Sequence, residues 1–378
     1  MSAAHVPWRV RNLLGVPAPR RTRYTAGVNG GEKDRFVGSD DLAFPGATWD
    51  TIDAEEAGFR PAALAEARFQ FEAKAGDGAY RVVIVRNGRI VSEWHRGVAP
   101  EQRLPIASAA KSFYSNMLGI AVAEGKIPSA DAKVVDYYPQ MMDVRPNEGP
   151  KENRHAFPEN RAITFRQLIS NTSGYMKPGE RPGEAFNYQT FGMNVLTHAI
   201  AAVYGRWYAD DPESSPGFGT LIEEKVARPI GAFFDYTHTN FALPQAARID
   251  VFGYYCQMHT TARDAARAGL LWCAGGRWRD RQVIPREWMH ESVRVAPDIV
   301  ANCPRDLWYY GHGFWTNAKG VLWPDLPLDG FSACGAGGHY VSVFPSLSLV
   351  IVQNPGPYAG MATRANPEFL ALIINSIR

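Results

Sequence analysis

Ser108-Ala109-Ala110-Lys111-Ser112-Phe113-Tyr114-Ser115-Asn116-Met117-Leu118-Gly119-Ile120-Ala121 is the stretch on which the reading of this chain turns. Phe113, Met117, Ile120 and Ala121 recur at helical spacing and Gly125 supplies a stop, so Ala107 to Glu124 is expected to be a buried helix. Ser108 stands at its head, and a spacing of three puts Lys111 on the same face, one turn on. A serine hydroxyl is a weak nucleophile until a neighbouring base takes its proton. A lysine held in a dry core loses solvation, which favours its neutral, proton-accepting form. The helix dipole also favours negative charge on an oxygen at this end. The competing reading is a simple N-cap serine beside a solvated lysine; the apolar run behind them argues against it.

Around that helix, strand signals lie at both ends of the chain. Val82 to Val85 and Ile90-Val91 flank Asn87-Gly88, the pattern of a hairpin. Tyr340 to Phe344 and Leu347 to Val352 flank Pro345-Ser346 in the same way. Between them, helical segments alternate with Pro/Gly-rich loops; Thr164 to Ile169, Gly192 to Val203, Asp264 to Ala274 and Pro285 to Ser292 are the clearest. Asn366-Pro367 opens a last helix, Phe369 to Ile377. The order predicts an α+β fold: an antiparallel sheet flanked by helices, built from both chain ends, with an inserted all-helical lobe. The expected partition is an N-terminal arm over 1–50, a sheet domain over 51–127 and 255–378, and a helical lobe over 128–254.

Composition narrows the function classes. The 378 residues are 46% hydrophobic and 21% charged with a net charge of +2, and no block of one sign stands out. Nothing there calls for a nucleic-acid partner. Arg9, Arg11 and Asn12 interrupt every candidate leader near the N-terminus, and no run reaches the roughly 20 apolar residues of a membrane span. A soluble, cytoplasmic protein is expected. Cys256, Cys273, Cys303 and Cys334 are scattered and read as reduced thiols, and no histidine pattern indicates a metal. No cofactor is expected. A small-molecule ester or amide is the expected partner, and a homodimer is compatible with the sequence.

Read together, the motifs resemble the serine β-lactamase-like superfamily of β-lactamases and penicillin-binding proteins, whose signature is Ser-x-x-Lys. Leu168-Ile169-Ser170-Asn171-Thr172-Ser173-Gly174 is similar to that group's Leu-Leu-x-His-Thr-Ser-Gly stretch. Pro182-Gly183-Glu184-Ala185-Phe186-Asn187-Tyr188-Gln189-Thr190 resembles its Tyr-x-Asn segment, with Thr190 in place of asparagine. Thr261-Ala262-Arg263-Asp264, Gly275-Gly276-Arg277-Trp278, Tyr310 to Trp315 and Gly335 to His339 follow in family order. The resemblance runs from about residue 55 to the C-terminus. The Lys-Thr-Gly strand is missing: its place reads Gly330-Phe331-Ser332-Ala333-Cys334. That loss of a substrate-facing cation counts against β-lactam turnover. The nearest named group is the 6-aminohexanoate-dimer hydrolases and carboxylesterases.

The resemblance implies a serine hydrolase in which Ser108 attacks an ester or amide, Lys111 is its base and Tyr188 relays the proton. It places the oxyanion against the backbone N–H of Ser108 and one from Cys334 or Gly335. Tyr175, Trp315 and His339 are the substrate-binding candidates, each with a structural alternative: packing on the helical lobe, core, or a hydrogen bond beside a strand. Acyl transfer through the same acyl-enzyme, and a non-catalytic penicillin-binding-like receptor, are the two competing functions.

Overall fold

A computed structural model describes residues 35–244, 247–359 and 367–378. Most of the expected arm, 1–34, lies outside them. The described residues form one compact unit.

Its centre is a six-stranded antiparallel sheet. The strand order is Arg89–Arg96, Tyr80–Arg86, Leu349–Gln353, His339–Phe344, Phe331–Gly335 and Trp315–Thr316. Both expected hairpins are present, and strands from the two chain ends meet directly, with Ile84 opposite Ile351. Asn87 and Gly88 adopt positive φ of 50° and 78°, the left-handed pair a two-residue turn requires. The second connection differs from expectation. A 3-10 turn, Pro345–Leu347, is closed by Ser348 at φ 48°, so the last strand starts at Leu349.

Alternation along the strands builds two cores. Val83 and Val85 pack on one face with the helices Ala110–Ala123 and Ala262–Cys273. Val82, Ile84 and Ile351 pack on the other with Pro61–Ala75 and Glu368–Asn375. The period of two in a strand makes both assignments at once. The regular elements between Ile127 and Tyr254 are mostly helices joined by long loops, including Phe165–Ile169 and Phe191–Val203. It also holds the strand Asp235–Thr239, which pairs with Tyr255–Thr260. On its other edge the latter strand pairs antiparallel with Leu104-Pro105, two residues before the Ser108 turn.

Candidate active site

Ser108 lies in a short 3-10 turn, Ala107–Ala109, that feeds the buried helix Ala110–Ala123. Ala107 has a φ of +47°, a left-handed conformation that side chains other than glycine's resist. Two contacts hold it. The Tyr255 hydroxyl donates to the Ala107 carbonyl at 2.6 Å, and the Ile106 N–H donates to the Met258 carbonyl at 2.9 Å. Nearly every residue of the following helix is buried, so the helix cannot roll and the direction of Ser108 is fixed by packing.

Lys111 is 1% exposed. Its Nζ donates to Ser108 Oγ at 2.9 Å and lies 5.0 Å from the centre of the Tyr188 ring. A buried ammonium or amine in hydrogen-bond reach of a serine oxygen is the geometry of proton exchange between them.

Tyr188 belongs to the loop that precedes helix Phe191–Val203. Its ring packs edge-on against Tyr310, centroids 5.8 Å apart, and against Trp315 at 5.6 Å. Tyr309 stacks on Trp315 at 5.5 Å, and Phe186 packs on Tyr310. The helix Pro297–Asn302 ties the base of the loop: Thr172 donates to Asp298 at 3.0 Å, and Asn302 Nδ2 donates to the Gly183 carbonyl at 3.0 Å.

The strand Phe331–Gly335 ends beside the Ser108 turn. A Cβ on Gly335 would stand 2.0 Å from the Ile106 carbonyl oxygen, so only glycine permits this approach. Trp315–Thr316 pairs with Phe331 and Ser332 and no further, which leaves Ala333 to Gly335 running on as an edge. Ala333 and Cys334 face opposite cores, and no residue of this strand carries a charge.

All three expected substrate contacts are buried. Tyr175 is fully buried and donates to the Met141 carbonyl at 2.8 Å. The left-handed residues on either side of it, Gly174 and Met176, turn the ring into the core, so it presents nothing to a substrate. Trp315 is 3% exposed and stands behind Tyr188 as a wall. His339 is 8% exposed, against Ile106, Ala109 and Phe113 beneath the Ser108 turn. Burial, then Arg81, pushes its imidazole down to about 4, so it is neutral there.

Sequence reasoning missed Tyr255 and Asn171. Tyr255 carries no local signal, because its role comes from pairing across the chain. Asn171 had one: it occupies the histidine position of the Thr-Ser-Gly stretch.

The Beta-lactamase family model matches residues 67–354, and the chain belongs to that family. No curated protein matches it. Among solved structures it is similar to a Bacillus anthracis protein described as a 6-aminohexanoate-dimer hydrolase (17% identity, TM-score 0.58, covering 90% of this chain and 89% of that one). It is similar to a family VIII carboxylesterase (17% identity, TM-score 0.59, 83% and 97% covered). It is also similar to EstCE1, described as a hydrolase with promiscuous acyltransferase activity (16% identity, TM-score 0.58, 84% and 98% covered). At these identities the likeness is one of fold.

Proposed function

We propose that the protein is a serine hydrolase that cleaves carboxylic esters or amides through an acyl-enzyme on Ser108. The 2.9 Å contact between the buried Lys111 Nζ and Ser108 Oγ carries this reading. Lys111 takes the Ser108 proton as Oγ bonds to the substrate carbonyl carbon. The resulting oxyanion faces backbone N–H groups, that of Ser108 and one from the Cys334-Gly335 edge. Collapse breaks the C–O or C–N bond, and the leaving group takes a proton through Tyr188. Water then attacks the acyl carbon as Tyr188 takes its proton, and the bond to Ser108 Oγ breaks as Oγ regains its proton from Lys111. Activity-based labelling with a fluorophosphonate, beside Ser108→Ala, tests it.

The uncharged strand Phe331–Gly335 supports substrates without a carboxylate at that point. The aromatic wall of Phe186, Tyr188 and Tyr309 suits an apolar acyl or alcohol group. A second reading, acyl transfer to an alcohol or amine, draws support from the likeness to EstCE1. Product analysis with and without an added alcohol separates the two.

A further inference from the structure

We propose that Asn171 is the positioning residue for Tyr188, acting through the backbone on both sides of it. The proposal rests on the role given to Tyr188 under the proposed function. The Asn171 carbonyl accepts from the Asn187 N–H at 2.9 Å, and its side-chain Oδ1 accepts from the Gln189 N–H at 2.9 Å. One residue thus holds the chain immediately before and immediately after Tyr188. The loop has no regular structure of its own from Phe186 to Gln189, so these bonds replace the ladder a strand would supply.

Two features make asparagine suited to the position. Its φ is +58°, which asparagine tolerates and most residues do not. Its side chain is short and ends in an acceptor. The cost is visible: Asn171 is 1% exposed, and among the described residues its Nδ2 finds no partner. A buried orphan donor is unfavourable, and a residue chosen for stability alone would not leave one. Below Asn171, Thr172 accepts the Gly183 N–H at 2.7 Å through its carbonyl and reaches Asp298 through its hydroxyl. The Tyr188 loop is therefore fastened at its base and at its tip to one turn of chain.

The consequence is a division of labour. The aromatic wall sets where the Tyr188 ring packs, and Asn171 sets the angle at which the backbone presents it. Loss of Oδ1 lets the hydroxyl drift while the ring stays covered. The effect falls on proton delivery and leaves substrate binding intact.

The test is a double-mutant cycle on kcat for an alkyl amide and a p-nitrophenyl ester of the same acyl group. Asn171→Gly keeps the positive φ and the main-chain bond and removes the side chain, Oδ1 with it. It is expected to lower amide kcat about tenfold, the scale of one hydrogen bond, with KM unchanged and the activated ester much less affected. Asn171→Asp keeps an acceptor in place and retains amide turnover. In a Tyr188→Phe background, Asn171→Gly adds nothing, because its effect passes through the lost hydroxyl. Additive losses, or full amide activity in Asn171→Gly, overturn the proposal. Normal amide turnover in Tyr188→Phe itself overturns the role of Tyr188, and the Asn171 proposal with it. Amide hydrogen exchange in the wild-type protein is a check that needs no variant: Asn187 and Gln189 should exchange slowly, and rapid exchange at Gln189 contradicts the bond.

Discussion

The Tyr255 hydroxyl holds the carbonyl of Ala107 at 2.6 Å while Ala107 sits at a φ of +47°. A residue from one strand thereby clamps an unfavourable backbone turn next to the candidate nucleophile. Strain of this kind persists where the surroundings over-determine it. Tyr255→Phe keeps the ring and loses the clamp, and kcat should fall about three- to tenfold, as expected for one hydrogen bond. Ala107→Gly in the same protein should restore much of the loss, because glycine adopts that φ without penalty. Steady-state kinetics of the single and double variants check this; no rescue would show that the clamp acts otherwise.

Gly335 stands where the edge strand meets the Ser108 turn, and a Cβ there would lie 2.0 Å from the Ile106 oxygen. Gly335→Ala must push the two apart. Overpacking of this kind costs about 1–3 kcal/mol, so a lowered denaturation midpoint is expected. Activity should fall further than stability, since the second oxyanion donor proposed above lies on the displaced edge. Full turnover in a folded Gly335→Ala protein would place the oxyanion elsewhere.

Three buried histidines contribute to the acid sensitivity. Burial pushes His198 down to about 4, His312 to about 3 and His339 to about 4, against an ordinary 6.5. Their folded-state values are depressed, so the unfolded chain binds more protons as pH falls. Stability is retained above pH 6.5 and declines from there toward pH 4, by about 1.4 kcal/mol per pH unit for each histidine. The buried carboxyls of Asp264 and Asp329, held above their ordinary range by desolvation, soften the slope. His312 stacks on Trp288, and among the described residues neither ring nitrogen has a partner. His312→Phe should therefore gain about 2 kcal/mol on wild type at pH 5. Urea titrations at pH 7 and pH 5 measure it; equal pH dependence in the two proteins would refute the assignment.

The uncharged strand in place of Lys-Thr-Gly predicts poor β-lactam turnover. Nitrocefin should be hydrolysed far more slowly than a p-nitrophenyl ester by the same preparation. Efficient nitrocefin turnover would mean that another cation meets the substrate carboxylate.

How far the sequence could be read depended on the range of the interaction. The Asn87-Gly88 hairpin and the helix after Ser108 were legible because each is specified by its own residues. Ser108 and Lys111 were legible as a pair because helical geometry fixes their separation. Tyr188 was found through the order of motifs. Tyr175 was misplaced because the burial of a ring depends on the backbone turn at Gly174 and Met176, which no periodicity records. The strand Asp235–Thr239 was missed because its partner is Tyr255–Thr260 and its own pattern of half-buried and exposed residues is weak. Tyr255 bonds to main chain remote in sequence, which leaves no local trace, whereas Asn171 is marked in the sequence by its place in the Thr-Ser-Gly stretch.

Lys111 separates function from stability. It is 1% exposed, where a charge is costly to bury. Lys111→Met keeps the packing volume and removes the proposed base, so turnover should drop by about 10²-fold or more. The midpoint of unfolding should stay level or rise. A large loss of stability would make Lys111 a structural residue.

Covalent labelling of Ser108 is the most direct test of the account. Wild-type protein treated with a fluorophosphonate should gain one adduct, mapped by peptide mass spectrometry to Ser108, with ester hydrolysis lost in step. Ser108→Ala, folded as judged by its circular dichroism, should take up no label and hydrolyse no ester. Labelling at another residue, or undiminished hydrolysis by Ser108→Ala, would contradict it.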